Sequence, residues 1–224
     1  MLFITFMLFI LFIIIYIICY FFTINHKNYN NRNVSLYYHL NSFITYILFI
    51  LFILFIINTD IILKNNNIIN LQNIIIFLLI SDTYYYWYHY SIHHIPLLKK
   101  YIHFGHHVDN NLLLPLDLFH SNIIDNILIF ILMYILPLFF IKLNLIEYVF
   151  IIILLFYHNC YIHSDTNNKC IIPFFIDAEY HKDHHKLSKV NYSGLFPNWD
   201  EYMNTRKVKI SYINKKIKNK KNKK

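Results

Sequence analysis

The sequence predicts an all-α integral membrane protein in which transmembrane helical hairpins are capped by a helical, histidine-rich domain. Three observations predict it. Of the 224 residues, 57% are hydrophobic and only 14% charged, against about 25% charged in a typical soluble domain. The apolar residues fall in long runs. Twelve of the 14 histidines lie within positions 89–185, between and after those runs.

Residues 1–22 are almost wholly apolar, and about 20 such residues cross a bilayer core. The run lacks the charged start and small-residue cleavage site of a signal peptide, so it reads as a retained first span. Residues 23–41 read as a polar loop and 43–57 as a second span. After a polar turn at 60–70, a third run opens at Leu71 and passes into DTYYYWYHYSIHH. Residues 123–141 and 145–157 read as a hairpin around Lys142 and Asn144, with a second arm short for a full crossing. This gives an N-terminal transmembrane hairpin over 1–70, a histidine-bearing domain over 71–205, and a basic disordered tail over 206–224.

An even number of crossings separates the two histidine regions, so both face one side. Lys27, Arg32, Lys99, Lys100 and the lysine tail fall on that side and only Lys64 and Lys142 opposite, which makes it cytosolic by the positive-inside tendency. The net charge of +8 lies largely in the tail. Its basic residues lack interleaved aromatics on a folded face, which argues against nucleic-acid binding. Two glycines exclude glycine-rich nucleotide loops. Cys19, Cys160 and Cys170 show no CxxC spacing, which argues against a disulfide framework or thiolate zinc site.

The histidine spacing carries the chemistry. His89 and His93 stand i, i+4 on one helical face, with Asp82 nearly two turns earlier on the same stripe. His103, His106 and His107 form HxxHH, predicted to present one face, and His181, His184 and His185 repeat that spacing. Imidazole suits zinc, copper, iron and nickel, and eight such ligands exceed the needs of one ion. Ionisable groups at membrane depth are costly and tend to be functional. His94 is turned about 100° from His93 and drops out. His158 and His163 do not share a face, and His163 is preferred. His120 and His158 are secondary metal candidates. His26 and His39 read as solvated or hydrogen-bonded side chains.

These boxes resemble the fatty acid hydroxylase/sterol desaturase superfamily over 82–205. DTYYYWYHYSIHH is similar to its D-T-x5-H-x3-H helix, KKYIHFGHH to its second box and YHKDHHKLSKVNYSGLFPNWDEYMNT to its last, with Asn191, Tyr192, Trp199 and Asp200 in the N-Y and W-D positions. IHSD places His163 where another single histidine is usual. Met203-Asn204-Thr205 departs from a usual Phe-Gly-Thr ending, and Tyr90 stands where a basic residue is often found.

The resemblance implies a catalytic domain over 71–205 in an endoplasmic-reticulum membrane enzyme with two iron ions. Its relatives use dioxygen to hydroxylate or desaturate acyl chains, sphingoid bases or sterols. It implies that His89, His93, His103, His106, His107, His163, His181, His184 and His185 hold the metal. Asp82 or Asp177 would accept a ring N–H, with a helix N-terminal charge as the other reading of Asp177. Electrons would come from a separate donor such as cytochrome b5 and its reductase, since no His-Pro-Gly-Gly motif occurs; the basic tail docks an acidic donor or anionic headgroups, or merely solubilises. Spacing alone also admits zinc, and so a zinc hydrolase or isomerase. HExxH is absent, however: Tyr90, Phe104 and Lys182 follow the leading histidines. A metal carrier would distribute histidines along the spans, and an inactive member of the superfamily is the remaining alternative.

Overall fold

The computed structural model describes residues 2–32, 34–63, 68–107 and 112–207; Lys64 and the tail from 208 onward lie outside them. Among the described residues the protein is helical without strands, and a single bridge joins Leu63 to Asn144.

Three helices are long and apolar enough to cross a membrane: α1 (Leu2–Ile24), α2 (Leu36–Asn58) and α6 (Leu145–Ile162). Helix α2 begins earlier than the expected position 43, because Ser35 caps it by accepting from the Tyr38 N–H; such a cap satisfies an otherwise orphaned donor. Helix α6 is the longer arm of its hairpin, not the short one. It starts on a reciprocal pair, Asn144 accepting from the Glu147 N–H and Glu147 from the Asn144 N–H, and continues through the polar residues 158–161 past the apolar boundary. The shorter arm is Ile123–Phe139. Its α-helix, α5 (Ile123–Phe130), widens into a π-type turn over Ile131–Ile135 and tightens to a 3-10 turn before Phe139. Pro137 supplies no N–H there to continue the ladder.

Helix α3 (Leu71–His94) is capped by Asn70, whose side chain accepts from the Gln72 N–H. It stops where Ile95 turns extended ahead of Pro96, as pre-proline sterics require. The short α4 (Pro96–Leu98) runs into a π-type turn (Lys99–His103) and a 3-10 turn (Phe104–His107). The remaining helices are α7 (Ala178–Leu187) and α8 (Asn198–Tyr202).

Helices α1 and α2 pack on each other and on the turn Pro115–Phe119, which also meets α6; α3 packs against Ile131–Ile135. Tyr46, Ile50, Phe77, Tyr148 and Ile151 form the fully buried centre, while Phe3, Phe21, Phe22, Leu51 and Phe55 face outward. A helix apolar on every side belongs in lipid or a large core.

Gly194 marks a close approach. A Cβ there would meet the buried Tyr85 ring of α3 at 2.6 Å, so ring or backbone must shift. Gly194→Ala is therefore expected to cost about 1–3 kcal/mol by overpacking, read as a lower unfolding temperature of the detergent-solubilised protein.

Candidate metal centre

Helix α3 delivers His89 and His93 from one face, one turn apart. The π-type and 3-10 turns after Pro96 deliver His103, His106 and His107. Helix α6 ends on His163, and α7 carries His181, His184 and His185. The nine rings sort into two adjoining groups. His89, His93, His103, His107 and His184 form one, and His106, His163, His181 and His185 the other, with the ligand atoms of each within 4.8 Å of one another.

The prediction that each HxxHH box presents one face is corrected. In the second box the outer pair, His103 and His107, joins the first group while His106 joins the second. In the third box the outer pair, His181 and His185, joins the second group while His184 joins the first. An i, i+4 pair shares a face on a regular helix, whereas the i+3 residue lies 60° short of a full turn. In the second box the change from π-type to 3-10 winding adds to that divergence. Consecutive residues 106–107 and 184–185 thus reach different groups, and the His107 and His185 rings stack at 4.5 Å where the groups meet.

The nitrogen positions test whether the groups fit ions. His89 Nδ1 donates to the Tyr192 carbonyl, His103 Nδ1 to Asp125, His163 Nδ1 to the Asn159 carbonyl and His184 Nδ1 to the Val190 carbonyl, at 2.7–2.8 Å. An Nδ1 that donates leaves Nε2 as a lone pair. Nε2 atoms converge within each group: His103–His107 at 3.1 Å and His107–His184 at 3.2 Å in the first, His106–His163 at 3.4 Å, His163–His181 at 3.1 Å and His181–His185 at 3.0 Å in the second. In the first group His103, His107 and His184 all turn Nδ1 to an acceptor, His107 to the His185 carbonyl at 3.4 Å, so their facing Nε2 atoms are lone pairs, which repel at such distances unless a cation lies among them. Nitrogens about 2.1 Å from one ion stand about 3.0–3.4 Å apart. His89 Nε2 and both ring nitrogens of His93 are buried with no hydrogen-bond partner. The donor set fits one cation per group.

Burial, then neighbouring imidazoles, holds His106, His181, His184 and His185 well below the ordinary imidazole range. The same causes push His107 down to about 3. Neutral imidazole is the form that binds metal.

The outer contacts differ from those predicted. Asp82 hydrogen-bonds to no histidine among the described residues. Its Oδ1 accepts from the Leu195 and Gly194 N–H groups at 2.8 and 3.3 Å, tying α3 to the loop whose Tyr192 carbonyl orients His89. Asp177 sits at the N-cap position of α7, as its helix-terminal reading had it, and binds Lys169, the Cys170 N–H and Tyr161. The carboxylate that meets a ligand is Asp125, fully buried, accepting from His103 Nδ1 at 2.8 Å and from Tyr88 Oη at 2.5 Å. A lone acid inside the apolar run 123–141 was the available signal. His158 donates to the Gly194 carbonyl, and His120 packs on Tyr38; neither belongs to a group. His94 stacks on Tyr90, outside both groups.

The N-Y and W-D residues build the loop behind α3 and α7. Asp200 accepts from the Tyr192 and Ser193 N–H groups and from the Tyr180 and Thr205 hydroxyls. Asn191 takes a left-handed conformation, φ 59°, and donates to the Tyr180 carbonyl; asparagine tolerates that region better than most residues. Thr205, retained in the departed ending, is thus used by the loop.

No curated protein and no solved structure matches the chain. The family model described as fatty acid hydroxylase matches residues 74–205, more than half of the sequence and every histidine of both groups. With three apolar spans beside paired histidine groups, the chain is an integral membrane protein belonging to the fatty acid hydroxylase family, within the sterol desaturase/fatty acid hydroxylase superfamily.

Proposed function

We propose that this chain is a lipid oxygenase that hydroxylates or desaturates a sterol, sphingoid base or acyl chain, with iron held by the two histidine groups. One observation carries the reading: the second histidine group opens on an apolar cavity. His106 and His163 line a space of about 240 Å³ whose other walls include Phe49, Phe52, Ile127, Phe130 and Tyr134. Leu48 and Ile127 line it too and are exposed between α2 and α5, so the mouth faces the surface that lipid would cover. A mostly apolar concave site with few polar groups suits an apolar ligand.

Bound iron would supply the redox chemistry that turns dioxygen against an unactivated C–H bond. The chain's own work is placement. The apolar walls take up the lipid and exclude water; His106 and His163 mark the end at which its reacting carbon stops. The Nδ1–H donors keep their protons on backbone carbonyls and Asp125, so the Nε2 lone pairs stay available.

Reducing equivalents would come from a separate protein such as cytochrome b5 with its reductase. The positive-inside distribution supports a cytosolic site, and the family resemblance supports the endoplasmic reticulum.

Dioxygen uptake by the iron-loaded protein in lipid nanodiscs, with reductant, should depend on added lipid. Ile127→Trp should block the cavity mouth and lower that uptake by at least about tenfold, the scale of 1.4 kcal/mol, while iron content stays at the wild-type level. Unchanged lipid-dependent uptake in the variant would refute this cavity as the substrate site.

A further inference from the structure

We propose that His26 and Asn28, in the loop between α1 and α2, are positioning residues for the second histidine group. They lie outside the family match, and nothing in their spacing associates them with the histidine boxes. Asn28 is buried and both of its reaches are to the metal-side frame: Nδ2 donates to the Leu113 carbonyl at 3.2 Å and to Asp165 Oδ2 at 2.9 Å. Its backbone N–H donates to His26 Nδ1 at 3.2 Å. That contact fixes the tautomer, so His26 Nε2 carries the proton and donates to the Ser164 carbonyl at 2.6 Å.

Ser164 and Asp165 directly follow His163. The loop therefore grips the turn that ends α6 at two successive residues. Asp165 extends the grip. Its Oδ1 pairs with Lys182 Nζ, and Lys182 adjoins His181 on α7. One buried carboxylate thus joins the turn bearing His163 to the helix bearing His181 and His185, and Asn28 holds that carboxylate from the N-terminal side. Asp165 itself sits at φ 46°, a left-handed conformation that costs energy in a non-glycine residue and persists where surroundings over-determine it. The Asn28 and Lys182 contacts supply that determination. His163 and His181 are the pair whose Nε2 atoms lie 3.1 Å apart. Of the first group's members, only His184 rides on α7, and its ring is oriented separately by the Val190 carbonyl.

The effect of the loop should therefore be lopsided: it sets the affinity of the second ion and leaves the first. This rests on the two-ion reading above, and the experiment separates the two. Full-length protein in detergent is titrated anaerobically with cobalt(II), whose visible absorption reports each equivalent, and the unfolding temperature of the metal-free protein is taken alongside. Asn28→Ala and His26→Leu should weaken one of two equivalents by about 10- to 100-fold, the range for groups that orient ligands, with the other at its wild-type affinity. His26→Gln, which still donates to the Ser164 carbonyl, should restore both, and it carries the test if Asn28→Ala fails to fold. A lowered unfolding temperature with both affinities at wild-type values would overturn the proposal, leaving the loop a mere packing element. Wild-type protein taking up fewer than two equivalents would instead overturn the two-ion reading and this proposal with it.

Discussion

His184→Ala should remove the first group's metal and the activity together. His184 is fully buried, its Nε2 lies 3.2 Å from His107 Nε2, and its ring centroid is 4.3 Å from that of His89. Deleting it opens the first group at the point where α7 meets α3 and the second box. Changing an outer partner typically costs 10- to 100-fold in metal affinity or activity, so losing a ligand should cost at least about 100-fold. The helix should survive, because alanine is the best helix former and α7 retains Lys182–Asp165 and the Ser188 N–H to His184 carbonyl bond. Far-ultraviolet circular dichroism at the wild-type value, with one of the two ions and the lipid turnover lost, is the expected pair of readings. Full metal content in a folded variant would remove His184 from the site.

Asp125→Asn is the second large effect. The carboxylate accepts from His103 Nδ1 and Tyr88 Oη and is wholly buried. Asparagine keeps the shape but brings one acceptor oxygen and a donor amide. If the oxygen serves Tyr88, the amide faces His103 Nδ1 donor to donor, and the favoured tautomer of His103 reverses. The Nε2 lone pair is then lost to the first group. Metal affinity should fall about 10- to 100-fold, measured by competition with a chelator, and excess metal should partly rescue turnover. An unchanged affinity would make the Asp125 contact structural only.

The spans were legible because they are continuous apolar runs, and the histidine boxes because they are periodic. Long apolar runs specify α1 and α2, and i, i+4 spacing specifies the face shared by His89 and His93. Ends were less legible: Ser35 starts α2 and residues 158–161 extend α6 through polar side chains, which hydropathy reads as loop. The division of each HxxHH box between two groups was hidden, since it depends on local winding and on which neighbour approaches. Outer partners were hidden for a stronger reason. Asp82 sits at a helical offset from His89, yet its oxygen points to a loop 112 residues later. Asp125 lies 22 residues from His103, with no period linking them. Asn28 and Asp165 are 137 apart. Tertiary hydrogen bonds of this kind leave no one-dimensional trace beyond a polar residue in an apolar setting.

On the proposed function, the nine histidines make two metal sites serving one lipid oxygenase. Elemental analysis of the purified, folded chain after anaerobic loading with ferrous iron and removal of excess tests it most directly. The expected result is two irons per chain, falling in His184→Ala; one ion or none, with His184→Ala indistinguishable from wild type, would contradict it.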